Sequence, residues 1–177
     1  SVALQWMDSL VTFAVPPKTM SIEEAKEITK GIDNLYLYKD EGEMLKAFLD
    51  IIQDADVLSG WNSEGYDIPY VINRIQKVLS KDDTRKLCLW KQLPKKRVFE
   101  RFGREQETYD LVGRVHLDSL ELYRKYTYEE RHSYRLDAIG EHELGEKKTV
   151  YEGSLDQLYN QDFRTFIEYN RQDTRLI

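Results

Sequence analysis

A mixed α/β domain is the fold class this sequence predicts, and three features predict it. Period-two alternation and helical apolar stripes interleave along the whole chain, as they do where helices flank a sheet. The 177 residues, 41% hydrophobic and 12% aromatic, suffice for one domain with a core that buries roughly two-thirds of its unfolded surface. No internal repeat or linker divides them, so the expectation is a single domain over residues 1–177.

The elements follow in order. Val2, Leu4 and Trp6 alternate with Ala3, Gln5 and Met7; a turn at Asp8-Ser9 then leads into a strand-like run, Leu10–Val15, stopped by Pro16-Pro17. Together these predict an antiparallel hairpin. Ser21 followed by Glu24 is a capping-box signature opening a short helix that Gly31 can end. Leu35–Tyr38 is short and β-prone. From Glu41, the residues Met44, Leu45, Phe48, Leu49 and Ile52 fall on one helical stripe. Val57–Trp61 reads as a buried strand and Ile68–Leu79 as a helix with Pro69 in its first turn. Val98–Phe102 and Thr108–Val112 flank Gly103-Arg104-Glu105-Gln106, predicting a second hairpin over about 97–113. Val115–Asp118 is a further strand, and Leu136–Leu144 and Asp162–Leu176 are helical, the latter with Phe163, Phe166, Ile167 and Asn170 on one side.

Composition excludes several classes. The longest apolar stretches are six residues or fewer, so no membrane span is expected. No basic and apolar leader opens the chain, and the single Cys88 cannot form an internal disulfide, which fits a cytoplasmic setting. The net charge of −6 argues against binding nucleic acid by overall positive charge. That charge is uneven. Residues 81–104 hold nine basic and three acidic side chains, so this segment is +6 and the remainder −12. A solvated basic loop and a phosphate-tracking patch beside an acidic site both fit.

Two short patterns carry candidate chemistry. The first is Asn62-Ser63-Glu64-Gly65-Tyr66-Asp67, between a strand and a helix. A carboxylate at such a junction sits at a sheet rim where α/β proteins place ligands, and the helix N-terminus would favour its ionised form. Asp67 as a plain helix cap fits equally. The second is Tyr169-Asn170-Arg171-Gln172-Asp173, where Tyr169 and Asp173 share one helical face. They would hold a water and a divalent ion, or belong to an ordinary amphipathic surface. Two separated aspartates without a Cys or His cluster suit Mg²⁺ or Mn²⁺, and His116, His132 and His142 have no ligand-like spacing.

The run Gly60-Trp61-Asn62-Ser63-Glu64-Gly65-Tyr66-Asp67-Ile68-Pro69-Tyr70-Val71-Ile72-Asn73-Arg74 resembles the second exonuclease motif of family B DNA polymerases, and Tyr169–Asp173 resembles their third, Y-x-x-x-D. Between them, Leu117–Tyr123 and Ser133–Gly140, continuing through Leu144-Gly145-Glu146-Lys147-Lys148, are similar to the same family in the same order. The resemblance runs from about Asp56 to the C-terminus and is strongest to the T4-like bacteriophage type. It implies a ribonuclease-H-like, DEDD-type 3′–5′ proofreading exonuclease domain, its mixed sheet flanked by helices and carrying an inserted hairpin. Four carboxylates and two Mg²⁺ or Mn²⁺ ions would hydrolyse the terminal phosphodiester. Asp67 and Asp173 would be metal ligands, their carboxylates within roughly 4–8 Å of each other. Tyr169 would orient the attacking water, since Glu168 stands where the histidine variant of the family has its His. Asn62 and Tyr66 would line the pocket for the frayed 3′ end, while Phe102 and Arg104 would help the hairpin part primer from template. The implied partners are a single-stranded DNA 3′ end, a primer–template and the polymerase domains of a parent chain, in a bacterial or phage-infected cell. The first exonuclease motif, D-x-E, occurs nowhere in these residues. The expectation is therefore a domain cut downstream of that motif, lacking the first central strand and weak or inactive in hydrolysis. The alternative is a non-catalytic module of the same fold that binds single-stranded DNA or a partner.

Overall fold

The structure is a computed structural model that describes residues 1–101, 103–146 and 153–177; Phe102 and the Lys147-Lys148 end of one motif lie outside them. The alternation at the N-terminus produces β1 (Val2–Trp6) and β2 (Ser9–Ala14), antiparallel with Trp6 opposite Ser9. The turn therefore falls on Met7-Asp8, one residue earlier than predicted, and Met7 takes φ 51°, the positive value that tight hairpin turns demand. Helix α1 (Ile22–Ile28) opens on the predicted capping box: the Ser21 hydroxyl accepts from the Glu24 N–H at 3.2 Å and the Glu24 carboxylate accepts from the Ser21 N–H at 2.8 Å. Its C-cap is Thr29, whose N–H and hydroxyl both bond to the Ala25 carbonyl, and Gly31 follows with φ 88°.

Then come β3 (Leu35–Leu37), parallel to β2, and α2 (Glu41–Ile51), whose stripe of Met44, Leu45, Phe48, Leu49 and the following Ile52 is buried as its spacing requires. Strand β4 (Val57–Gly60) is followed by α3 (Asp67–Val78) and a 3-10 turn, Asp82–Leu87, that periodicity did not announce. The second hairpin is β5 (Lys95–Arg101) with β6 (Arg104–Asp110); Arg101 pairs with Arg104, so both strands begin earlier than predicted, β6 ends at Asp110 instead of Val112, and the turn is tighter. Strand β7 (Val115–Asp118) leads into α4 (Ser119–Tyr126), and α5 (Leu136–Leu144), α6 (Leu155–Gln161) and α7 (Phe163–Arg175) complete the chain. Helices α4 and α6 were not anticipated, although Ser154 and Gln157 form a second capping box.

Among the described residues the strands form three small sheets instead of one: β1-β2-β3, which is itself mixed, the parallel pair β4-β7, and the antiparallel pair β5-β6. With a single ladder partner among the described residues, β4 is not the buried strand expected; Val57 is 48% exposed.

The chain folds as two compact units, Ser1–Met44 with Ser133–Ile177, and Leu45–His132; α2 spans the boundary. The first unit is centred on Ala14, Ala25, Phe163 and Ile167, with Leu35, Leu37, Tyr159 and Phe166 packed around them. Tyr159 meets Phe166 edge-on at 5.1 Å and donates its hydroxyl to the Val15 carbonyl at 3.0 Å. The second unit buries Ile72 and Ile75 of α3 with Leu87, Leu111 and Leu120, and α3 packs against the 3-10 turn and β6. No helix among the described residues is long and apolar enough to cross a membrane.

Candidate functional site

In the second unit, β4 and β7 run parallel with Gly60 beside Asp118, so the ends of both strands open on the same side. The chain leaving β4 must then turn sharply. Gly60 permits this, since a Cβ there would come within 2.8 Å of the Ser63 Cβ. Ser63 closes the turn by donating to the Gly60 carbonyl at 3.1 Å, and Asn62 takes the left-handed φ of 57°.

What holds this loop is Asp118. One carboxylate oxygen accepts from the Asn62 N–H at 2.9 Å and from the Leu120 N–H at 3.0 Å; the other accepts from the Glu64 N–H at 3.0 Å. Asp118 is thus the N-cap of α4 and, at once, the clamp of a loop more than fifty residues away. The buried Ser63 hydroxyl bonds to His116 Nε2 at 2.8 Å; burial holds the imidazole below its usual pKa, against the opposing pull of Asp118 and Glu64.

The second hairpin is fastened to the same loop. Thr108 of β6 donates its hydroxyl to the Glu64 carbonyl at 2.7 Å, and Arg97 of β5 pairs with the Glu64 carboxylate and, at 3.1 Å, with Asp110. Glu64 is therefore gripped at its N–H, its carbonyl and its side chain by three different elements. A polar cavity of about 180 Å³ lies against this grip, lined by Glu64, Arg97, Arg114 and His116 among others.

Asp67 is the first residue of α3, and the N-cap position belongs to Tyr66 with no side-chain cap bond. The plain capping role is thus not what Asp67 does. Its side chain keeps access to solvent, yet the protein packed around it raises its carboxyl above the ordinary range, and the nearby Asp118 charge raises it further. Its own backbone N–H at the helix N-terminus favours the ionised form, as the sequence suggested, but packing and Asp118 outweigh it. Tyr66 is 62% exposed and stacks on Tyr70 with ring centroids 5.8 Å apart.

The structure brings Asn62, Tyr66 and Asp67 together on one loop of the second unit. Arg104 opens β6 in the same unit, and Phe102 is outside the described residues. Tyr169 and Asp173 share a face of α7 in the first unit, both half-buried, on a helix fixed by Phe163 and Ile167 and by Arg171 donating to Thr12 at 3.0 Å. Among the described residues no three His, Cys, Asp or Glu side chains gather as a metal-holding group. Asp118 uses three of its roughly four lone-pair sites on N–H donors, and Asp67 and Asp173 are the candidate donors the sequence named. A hard divalent ion takes about six oxygens. The set present does not fit a complete two-ion centre.

Sequence reasoning assigned no role to Arg97 or Thr108 and quoted Glu64 and Asp118 only within motifs, while His116, with no ligand-like spacing, serves the loop structurally. Only Asp118 left a local signal, an Asp before Ser-Leu at a helix start.

The sequence matches the family described as "DNA polymerase family B, exonuclease domain" over residues 8–139, which takes in the whole Asp118-clamped loop. The DNA-directed DNA polymerase of Escherichia phage RB69 is 33% identical over 135 residues, covering 75% of this chain and 15% of that protein. That of Enterobacteria phage T4 is 26% identical over 163 residues, covering 89% and 18%. The DNA polymerase delta catalytic subunit of Bos taurus is 32% identical over 126 residues, covering 67% and 11%. The chain thus spans less than a fifth of the length of these relatives, and it belongs to the exonuclease-domain family of family B DNA polymerases, of the T4-like phage type.

Proposed function

We propose that residues 1–177 act as a 3′–5′ proofreading exonuclease domain of a DNA polymerase, one domain of ribonuclease-H-like type working on the 3′ end of a primer–template beside the polymerase domains of a longer chain. One observation carries this reading: the Asn62–Asp67 loop, matched by the family, is built as a rigid rim around a solvent-accessible carboxylate. Asn62 and Tyr66 meet the frayed 3′ nucleotide by amide hydrogen bond and ring contact. Tyr169 orients the attacking water. Mg²⁺ or Mn²⁺ would supply the Lewis acid for this reaction, and Asp67 and Asp173 are the carboxylates this chain would contribute to holding it. The setting is the cytoplasm of a bacterial or phage-infected cell.

The incomplete donor set favours a second reading, a non-catalytic module of the same fold that binds single-stranded DNA. A 3′-labelled single-stranded oligonucleotide with Mg²⁺ or Mn²⁺ separates the two. Residues 1–177 alone are expected to hydrolyse it weakly or not at all. A longer polypeptide that also carries a D-x-E strand gains activity under the first reading, and Asp173→Ala abolishes it. Hydrolysis unaffected by Asp173→Ala, or full activity of residues 1–177, overturns the assignment. In the active polypeptide, Arg104→Ala slows excision from duplex ends and spares single strands. Equal slowing of both makes Arg104 a general phosphate contact.

A further inference from the structure

The segment between α3 and the second hairpin carries a feature that the exonuclease reading does not use. Trp90 is 74% exposed, and it and Lys91 both take left-handed backbone angles, φ 53° and 55°. Bulky residues rarely adopt that conformation, which is strained and persists only where its surroundings impose it. Here they do. The Leu89 N–H bonds to the Val112 carbonyl at 2.8 Å, and Arg85 donates to the Lys91 carbonyl at 2.9 Å. The edge of the Trp90 ring lies against Gly113, where any Cβ would come within 3.0 Å of the indole and 2.7 Å of the Leu89 Cβ. The fold thus spends strain and a glycine to hold a large ring in water, where hydrophobicity alone would have buried it.

The chain around the ring is basic on balance, with Asp82 taken up by Arg85. Trp90 sits inside the +6 segment. Lys86 and Lys96 are drawn onto Asp50 and Glu107 at 3.6 and 2.6 Å, whereas Lys91 and Lys95, both exposed, make no ion pair among the described residues. An exposed indole held next to Lys91, with Lys95 opening the following strand, suits a polyanion that also offers flat π surfaces.

We propose that Trp90, with Lys91 and Lys95, is a second contact for single-stranded DNA, separate from the Asp67 loop: one base stacks on the indole and the lysines meet the phosphates on either side. The proposal goes beyond the exonuclease reading and is tested without metal. An oligothymidylate of roughly ten nucleotides is titrated into residues 1–177 in EDTA, following tryptophan fluorescence and, with a labelled strand, anisotropy. The expected result is quenching that Trp90→Phe removes with little change in affinity. Trp90→Ala weakens binding about 5- to 100-fold, the range that one stacked base supplies. Lys91→Gln lowers the slope of log affinity against log salt by about 0.7. Unaltered protein is also offered an abasic strand of equal length, so one arm needs no folded variant. Equal affinity for abasic and thymidine strands overturns the stacking contact, as does unchanged binding by a folded Trp90→Ala protein or no binding of oligothymidylate at low salt. Loss of the stacking contact alone leaves the assignment of Asp67 and Asp173 standing, whereas no binding of oligothymidylate at all also counts against both readings of the Asp67 loop.

Discussion

Replacing Asp118 by alanine removes one side chain and orphans three backbone donors, the N–H groups of Asn62, Glu64 and Leu120, which it accepts at 2.9, 3.0 and 3.0 Å. The Leu120 bond is an N-cap, worth about 1 kcal/mol. The other two are bonds to a carboxylate, each worth roughly 1.5 kcal/mol at the low end of the charged range. Asp118 is only 7% exposed, so water does not freely replace it. The sum, about 4 kcal/mol, is a large part of the 5–15 kcal/mol that holds a typical domain. For a chain of this length it corresponds to a fall in Tm of about 8–16 °C. Urea and thermal unfolding followed by circular dichroism measure the loss, and amide hydrogen exchange locates it. Asn62 and Glu64 should lose protection by far more than amides of the first unit. Asp118→Asn, which keeps one acceptor oxygen, should lose about half as much. A loss below about 1 kcal/mol, or unchanged exchange at Asn62 and Glu64, refutes the clamp.

Three further outcomes are expected. Asp67 has a carboxyl raised by burial and by Asp118, so the folded state binds its proton more tightly than the unfolded state does. Its contribution to stability therefore falls as pH climbs through the interval between the ordinary carboxylate range and the raised value, and Asp67→Asn should unfold at a higher Tm than the parent at pH 7, the advantage vanishing in acid. An advantage that persists below the carboxylate range contradicts this. Phe163 is 1% exposed at the centre of the first unit, so Phe163→Ala should cost about 3–5 kcal/mol by urea titration. Arg97→Ala should release Glu64 and the hairpin at their shared ion pair, raising exchange at Glu64 with a smaller stability loss, about 1 kcal/mol, because Arg97 is partly exposed. A loss as large as that of Asp118→Ala would mean the hairpin, not Asp118, carries the loop.

Where structure depends on near neighbours, the sequence decided it alone. The capping box at Ser21 and Glu24, the strand Val115–Asp118 and the helix Leu136–Leu144 stand where their patterns put them, because side-chain periodicity and caps act within a few residues. The capping box of Ser154 and Gln157 is equally local, and the motif around Asp67 lies within the residues matched by the family. What needed the tertiary structure was every interaction with a distant partner. The division of the strands among three sheets depends on ladders between residues far apart, such as Val57 with Val115. The direction of the Asp67 pKa shift depends on packing and on the Asp118 charge, which outweigh the local helix terminus. Asp118 itself reads in sequence as the end of a strand. Only folding brings its two oxygens to the N–H groups of Asn62 and Glu64, because a carboxylate satisfies whatever donors the chain delivers within about 3 Å, and sequence spacing does not say which those will be.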